Sequence, residues 1–478
     1  MTGLTEDVLA LAETQPRAGA LRWRGADVSY AELAGLVRQA QAELAAQPGE
    51  GPVAVVAPKS PETVAFVLAC VLARRAVLLP SPDLGRTALA ELVERAGCEH
   101  VAEGGASGIE LRATETPAGP SGDVRFLLTT SGSTGTPKIV PLAEEPTDRF
   151  MHWAVEQFGL GPGVDVLNYA PLNFDLCLLD VWATLRAGGR ATLVEADHAV
   201  NPRHLVELLH AEPHVVQAVP MFFRIVADAV RSSGTQFPSV RHVVLTGDHT
   251  PRPLRAELPK MFPSARFHNV YGCTETNDSF LHSFDGHEAD AHEVLPLGRP
   301  LPGVRARIVA DDGTELTGAG TGELWVSTPF QTRGYLGEDN ARFVTGPDGV
   351  PYFRSGDLVS RTEDGVLTLA GRTDFQVKVR GVRVGLEDVE RVIAEHPETA
   401  EVGVVALPDP QAGQRLHAVV RRRSARLTGL GLRQHCAQRL VRAAIPSVIQ
   451  IVDTALPLTS TGKVDRKRIR KELLAGES

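Results

Sequence analysis

Cysteine is scarce in this sequence. Five residues in 478 (Cys70, Cys98, Cys177, Cys273 and Cys436) lie scattered, with no CxxC pair. That distribution argues against a disulfide framework or a thiolate zinc site and fits a reducing cytoplasm. No apolar run approaches the ~20 residues needed to cross a bilayer. No long basic run exists and the net charge is −9, so nucleic-acid binding is disfavoured, because neutralising phosphates takes a concentrated basic patch. The opening stretch MTGLTEDVLALAETQ has acids and no leading cationic segment, unlike a secretory signal. The expected location is the cytoplasm. No repeat of 20–50 residues is present. What the chain does have is 43% apolar residues and a length that suits two or more domains.

Short apolar runs alternate with helix-like segments through most of the chain. VAVVA (53–57) precedes SPETVAFVLACVLARR (60–75), VVQAVP (215–220) precedes FFRIVADAVRSS (222–233), and VRHVVLTG (240–247) follows. This rhythm predicts parallel sheets covered by helices. From about Val304 the texture changes to short strands (ARIVADDGTEL, GELWVST, GVLTLAGR) broken by turn residues, which predicts an antiparallel part. After Asp374 come a strand QVKVRGVRV, a helix LEDVERVIAEH, strands EVGVVALP and RLHAVVRRR, and a helix LGLRQHCAQRL. This segment has the size of a separate small domain. AGPSGD (118–123) and ALPDPQAG (406–413) read as loops.

Residues 127–140, LLTTSGSTGTPKIV, carry hydroxyls, glycines and one lysine directly after a strand-like run. Such a loop can wrap a phosphate: glycines let backbone N–H groups approach, hydroxyls donate, and lysine adds charge. The spacing from Gly132 to Lys138, with Pro137 before the lysine, excludes the GxxxxGK[ST] nucleotide loop. A flexible linker is the alternative, but structure-forming residues resume at once with IVPL.

Four further stretches, NVYGCTETND (269–278), FRSGDLV (353–359), GRTDFQVKVRGVRV (371–384) and PLTSTGKVDRKRI (457–469), follow TSGSTGTPK in order. With them the chain resembles the adenylate-forming superfamily of acyl-CoA synthetases, luciferases and nonribosomal-peptide adenylation domains. SYAEL (29–33) and LARRAVLLPSPD (72–83) are similar to weaker family stretches. The resemblance implies an α/β fold. A large N-terminal domain, residues 1–373, would combine parallel-rich sheets and helices with an antiparallel, barrel-like subdomain. A small, mobile α+β C-terminal domain, residues 374–478, would turn about a hinge at Asp374. It also implies ATP and Mg²⁺ as cofactors. Attack of a carboxylate on the α-phosphate brings two anions together, so the site must neutralise charge.

By the resemblance, Thr130, Ser131, Gly132, Ser133, Thr134, Gly135 and Lys138 hold the β- and γ-phosphates. Thr274 touches the α-phosphate and Glu275 helps to hold the metal. Tyr271 lies along the adenine, Asp357 accepts the ribose hydroxyls and Arg372 adds a contact there. Lys463 bridges carboxylate and phosphate in the transition state. Glu323, in GELWV, sits at a family acid near the metal. Gly385 and Ile139 depart from the family pattern, Gly385 where an acid is usual and Ile139 where a glycine is usual.

NFDLCLLDVW (173–182) falls where the family builds its acid pocket. Asp175 matches the aspartate that pairs with an amino acid's ammonium, and a carboxylate among Phe174, Leu176 and Leu178 asks for a cation. A helix-capping acid is the other reading. The remaining lining positions are Leu176, Leu179, Gln217, Val244, Thr246, Val270, Asp278 and Ser279. Leu179 and Gln217 narrow the pocket toward a small side chain. Asp278 would face a hydroxyl, a second amine or solvent. The resulting expectation is a stand-alone ligase that adenylates a small amino acid and passes it to a holo carrier protein in trans, as a monomer or weak dimer. An acyl- or aryl-CoA synthetase, an amide-forming ligase and a non-catalytic nucleotide-binding protein are the alternatives.

Overall fold

Local chemistry starts two early helices where SYAEL and KSPE occur. Ser29 and Glu32 form a reciprocal capping box that opens helix Tyr30–Ala45. Ser60 caps helix Pro61–Leu72, whose first residue is proline, a position where the missing N–H costs nothing. The computed structural model describes residues 3–81, 84–105, 108–119, 122–130, 137–310, 312–338, 340–373, 376–409, 413–457 and 464–476.

The described parts divide into two compact units, one drawn from Met1–Pro80, Val93–Leu128 and Ile139–Thr373, the other from Ser81–Leu92, Thr129–Lys138 and Asp374–Ser478. In the larger unit a nine-stranded sheet runs in the spatial order Arg299–Pro300, Asn277–Phe284, Arg266–Cys273, His242–Leu245, Val215–Ala218, Asp165–Asn168, Arg190–Leu193, Gly19–Trp23, Ala26–Ser29. The six strands from Arg266–Cys273 to Gly19–Trp23 are parallel. Their helical crossovers bury both faces, which is why these strands read as continuous apolar runs. A second sheet of six strands contains Val53–Val56, Val77–Leu78 and Val124–Thr130, again parallel. The third sheet, built from Arg305–Val309, Gly320–Ser327, Phe343–Thr345, Pro351–Arg361 and Leu367–Arg372, is antiparallel throughout. This is the expected α/β class with an antiparallel part.

Antiparallel pairing begins earlier than the sequence texture suggests. Asn277–Phe284 folds back on Arg266–Cys273 as a hairpin at the edge of the parallel sheet. In the smaller unit, QVKVRGVRV is not one strand. It is a hairpin, Gln376–Val379 against Val382–Gly385. Arg380 and Gly381 both have positive φ, 53° and 80°, the backbone of the two-residue turn that matches strand twist. Behind it, Thr399–Asp409 pairs antiparallel with Gly413–Arg422, which pairs parallel with Val448–Val452. Helices Leu386–Ala394 and Gly429–Ala437 bury Val389, Ile393 and Leu432 in the core they share with these strands. The loop expected over 406–413 is shorter, because the strand continues to Asp409.

Candidate active site

The SGD turn is a distortion of a strand with a definite purpose. Along Pro351–Arg361, Leu358 pairs with Glu323 and Arg354 with Trp325, so residues 355–357 stand opposite Leu324 alone. Such a bulge re-aims side chains. Gly356 takes φ 74° there, a conformation that favours glycine, while Ser355 Oγ donates to the Leu324 carbonyl at 2.6 Å. The bulge leaves Asp357 as the register partner of Arg372, whose Nη1 donates to its carboxylate. Tyr271 O–H donates to Asp357 Oδ2 at 2.5 Å. Burial first, and then the Asp357 charge, hold the Tyr271 phenol well above its usual range, so it stays a donor. Two residues expected at the adenosine, Tyr271 and Arg372, thus converge on the buried carboxylate of the third, Asp357. Glu323 is engaged by Arg354 Nη2 and Trp325 Nε1, both at 3.0 Å, and by the Gly356 N–H at 3.2 Å. It therefore braces the bulge.

Asp357→Asn keeps the shape and removes the charge that Arg372 and Tyr271 share. The expected result is an ATP KM raised roughly ten- to hundredfold, the scale for leaving buried polar partners unsatisfied. Steady-state kinetics at saturating acid check it, and an unchanged KM would make Asp357 a purely structural bulge residue.

Glu275 is 1% exposed. Tyr335 O–H donates to its Oε1 at 2.7 Å and the Thr332 N–H to its carbonyl at 2.9 Å. A carboxylate is the hard-oxygen donor that Mg²⁺ takes, so Glu275 fits the ion, which would supply charge neutralisation when bound. Thr130 ends strand Val124–Thr130 and Lys138 opens strand Lys138–Ala143. Ser131, Gly132, Ser133, Thr134, Gly135, Asp374 and Lys463 lie outside the described residues.

The candidate acid pocket is more polar than its sequence suggests. Asn168 and Gln217 are register partners at the C-terminal ends of adjacent parallel strands, the edge where open α/β sheets bind ligands. Gln217 Nε2 donates to the Leu176 carbonyl at 3.0 Å and to Asp180 Oδ1 at 2.8 Å. Asn168 Nδ2 donates to Asp180 Oδ2 at 3.3 Å. Lys59 Nζ donates to Asn168 Oδ1 at 2.9 Å and to the Asn168 and Ala170 carbonyls at 3.1 Å each. Asp175 is partly buried, and the cap of the following helical segment is Cys177 rather than Asp175. Val244, Thr246, Val270, Leu179 and Ser279 are all buried. Val244 is the register partner of Gln217. Ser279 is occupied with Thr276 and the Asn277 carbonyl, both at 3.2 Å.

Lys59, Asn168 and Asp180 were not singled out by sequence reasoning. Lys59 lies more than a hundred residues from its partners, and nothing in KSPE marks it. Asp180 falls in a π-helical turn, Leu178–Ala183. The extra residue per turn breaks α-helical periodicity and is frequent at functional sites. Burial holds Asp180 well above the usual carboxylate range, against the pull of Asn168 and Lys59. Burial lowers Lys59 to about 8, with Cys177, Asp180 and Glu195 pulling the other way. Burial and then Asp175 push Asp278 up to about 8.

Removing Lys59 would leave Asn168 Oδ1 and the Asn168 and Ala170 carbonyls without their donor, and Asp180 without a cation that favours its ionisation. Lys59→Met is expected to cost about 3 kcal/mol, the scale for breaking a buried charged network from one side. Adding Asp180→Leu should recover part of the loss, a coupling that thermal melts of both single variants and the double variant measure. Additive losses would show that the two residues do not support each other.

Comparison with known proteins decides the family. A profile described as "AMP-binding enzyme" matches residues 9–118 and 100–336, and a second, "AMP-binding enzyme C-terminal domain", matches 388–463. The chain belongs to the adenylate-forming superfamily. This adenylate-forming enzyme is an ATP-dependent ligase of the AMP- and pyrophosphate-producing class, with ATP and Mg²⁺ as cofactors. It is 33% identical over 365 residues to the phenyloxazoline synthase MbtB of Mycobacterium sp. (strain MCS), an alignment covering 75% of this chain and 31% of that protein. The chain therefore spans about a third of that relative's length. It is 31% identical over 355 residues to an L-proline--[L-prolyl-carrier protein] ligase of Pseudomonas fluorescens, covering 73% of this chain and 69% of that one. In fold it is similar to the Vibrio cholerae adenylation domain AlmE, solved with glycyl-adenosine-5'-phosphate, at TM-score 0.85 and 19% identity over 99% of this chain and 98% of that one. It is likewise similar to the o-succinylbenzoate CoA synthetase of Bacillus subtilis, at TM-score 0.84 and 21% identity over 97% and 98%. Among the described residues no helix is long and apolar enough to cross a membrane.

Proposed function

We propose that this enzyme converts ATP and a small amino acid to aminoacyl-AMP and pyrophosphate, and then transfers the aminoacyl group to the phosphopantetheine thiol of a carrier protein. The observation that carries the reading is the charge of the acid pocket. Asp175, Asp180 and Asp278 lie close enough for Asp278 to oppose ionisation of Asp180, and Asp175 that of Asp278, while Lys59 is engaged with Asn168 and Ala170. Burial and mutual repulsion hold Asp180 and Asp278 back from ionising; an incoming ammonium relieves that repulsion, and fatty or aryl acids bring no such cation. Asp175 is the residue that faces that ammonium. The occupied amide of Gln217 and the buried Leu179 support a small side chain. Near pH 7 a protonated Asp278 can donate a hydrogen bond to a substrate hydroxyl, or as a carboxylate accept from a second amine.

In this reading the tract 130–138 and Lys463 neutralise charge as carboxylate and α-phosphate meet, Asp357 and Tyr271 hold the nucleoside, and Lys463 withdraws before thioester formation. The likeness to the prolyl-carrier-protein ligase supports a carrier thiol as acceptor. Pyrophosphate exchange across amino acids and their deaminated analogues tests the first step, and transfer to holo carrier protein against CoA tests the second. Exchange driven only by deaminated acids would overturn the amino-acid reading. Transfer to CoA alone would overturn the acceptor.

The raised pKa of Asp278 gives a stability prediction for the ligand-free enzyme. Its folded state holds the proton that the unfolded state releases near pH 4, so the stabilisation present at low pH declines as pH rises toward about 8. Melting temperatures should fall between pH 6 and 8.5 in wild type and fall less in Asp278→Asn. Parallel profiles would assign the change to another group.

A further inference from the structure

Outside the acid pocket, one group of side chains combines two imidazoles and a carboxylate. Glu195 follows strand Arg190–Leu193, His198 closes a single turn of 3-10 helix at Ala196–His198, and His204 sits in the first turn of helix Pro202–His210. Each offers one ligand atom, and these atoms all lie within 4.8 Å of one another, the one such group of three among the described residues. We propose that Glu195, His198 and His204 bind one divalent transition-metal ion of the zinc or nickel class.

The framework is held by bonds that need no ion. The His198 N–H donates to the Glu195 carbonyl at 3.1 Å and the Asn201 N–H to the His198 carbonyl at 2.9 Å. Asn201 Oδ1 caps the following helix, accepting from the N–H groups of Arg203 at 3.1 Å and His204 at 3.4 Å. Tyr169 O–H ties the loop to the neighbouring strand through the Ala199 carbonyl at 3.0 Å. The three ligand atoms already lie within 4.8 Å of one another. Metal–ligand bonds of ~2.0–2.2 Å place tetrahedral donors roughly 3.3 Å apart. His204 Nε2 already lies 2.7 Å from Glu195 Oε2, and the His198 and His204 rings have centroids 4.8 Å apart. His198 is exposed and free to swing onto the ion, with water completing the shell.

The carboxylate is suited to a cation. Glu195 is 4% exposed; it pairs loosely, at 3.9 Å, with Arg24, a side chain that is itself 67% exposed, and its charge also reaches the buried Lys59. A dication would be a far stronger partner than the exposed Arg24. The donor set also separates this site from the nucleotide's metal. Imidazole with a single carboxylate suits zinc, nickel and copper, whereas Mg²⁺ takes oxygen ligands. The scattered cysteines exclude a thiolate site, but this one uses none of them.

The test uses the tag-free full chain, stripped by chelator and titrated calorimetrically with Zn²⁺ in excess Mg²⁺ and without ATP. One equivalent should bind. His198→Ala and His204→Ala should each weaken binding by at least about tenfold, since losing even an outer-shell partner typically costs that much, and the double variant should lose the binding step. Because His198 is exposed, its variant should melt as wild type does in the absence of metal. Co²⁺ loading supplies a second readout, a visible ligand-field spectrum that changes in the His198→Ala variant. No binding step in wild type, or unchanged affinity in the double variant, overturns the proposal.

Discussion

In an Asp175→Ala variant, exchange driven by the true amino-acid substrate should fall by roughly 30-fold to several thousandfold, the ~2–5 kcal/mol that truncating one partner of a buried charge pair typically costs. ATP binding should hold, because the Asp357, Arg372 and Tyr271 cluster is untouched. The expected loss is specific to the ammonium. A deaminated analogue should be poor for wild type and should lose less in the variant. The four rates, two substrates on two enzymes, isolate the ammonium–carboxylate interaction. Removing Asp175 also relieves the charge that raises Asp278, so residual activity in the variant should depend on Asp278 and vanish in Asp175→Ala/Asp278→Asn. Equal loss for both substrates would make Asp175 a structural residue. A wild type that prefers the deaminated acid would turn the assignment to a carboxylic-acid ligase.

Lys463→Ala should slow adenylation by a factor on the order of 10² or more while ATP still binds, because the role proposed for this lysine is to meet charge that develops in the transition state. The residue is assigned from its place in STGKVDR. Transfer from preformed adenylate to the carrier thiol should change far less, since the proposed cycle removes the lysine before that step. Single-turnover measurements separate the two. An exchange rate equal to wild type would remove Lys463 from the chemistry, and equal damage to both half-reactions would argue that the substitution disturbs the smaller unit as a whole.

Some site residues were legible because their motifs are local. The SGD turn carries its own explanation: a glycine with positive φ inside a strand makes a bulge, and the bulge aims the next aspartate. The hairpin at 376–385 was less legible, because Arg380-Gly381 is a weaker turn signal than Asn-Gly or Asp-Gly. Tyr335, which holds Glu275, follows no motif, and its partner lies 60 residues away.

The sequence by itself determined the alternation of strands and helices and the antiparallel texture after Val304, and with them the fold class; its five ordered motifs carried the resemblance to the family. Those are properties of neighbouring residues, where period, turn chemistry and spacing suffice. Only the tertiary structure decided the polar cluster around Asp180, at the candidate acid pocket. Lys59, Asn168, Asp180 and Gln217 come from four separate segments, and they meet because parallel strands and a π-turn deliver their side chains to one sheet edge. Asp180 reads along the chain as one acid in an apolar run. Its burial, and the amides and lysine that make that burial tolerable, exist only once Asn168 and Gln217 stand side by side.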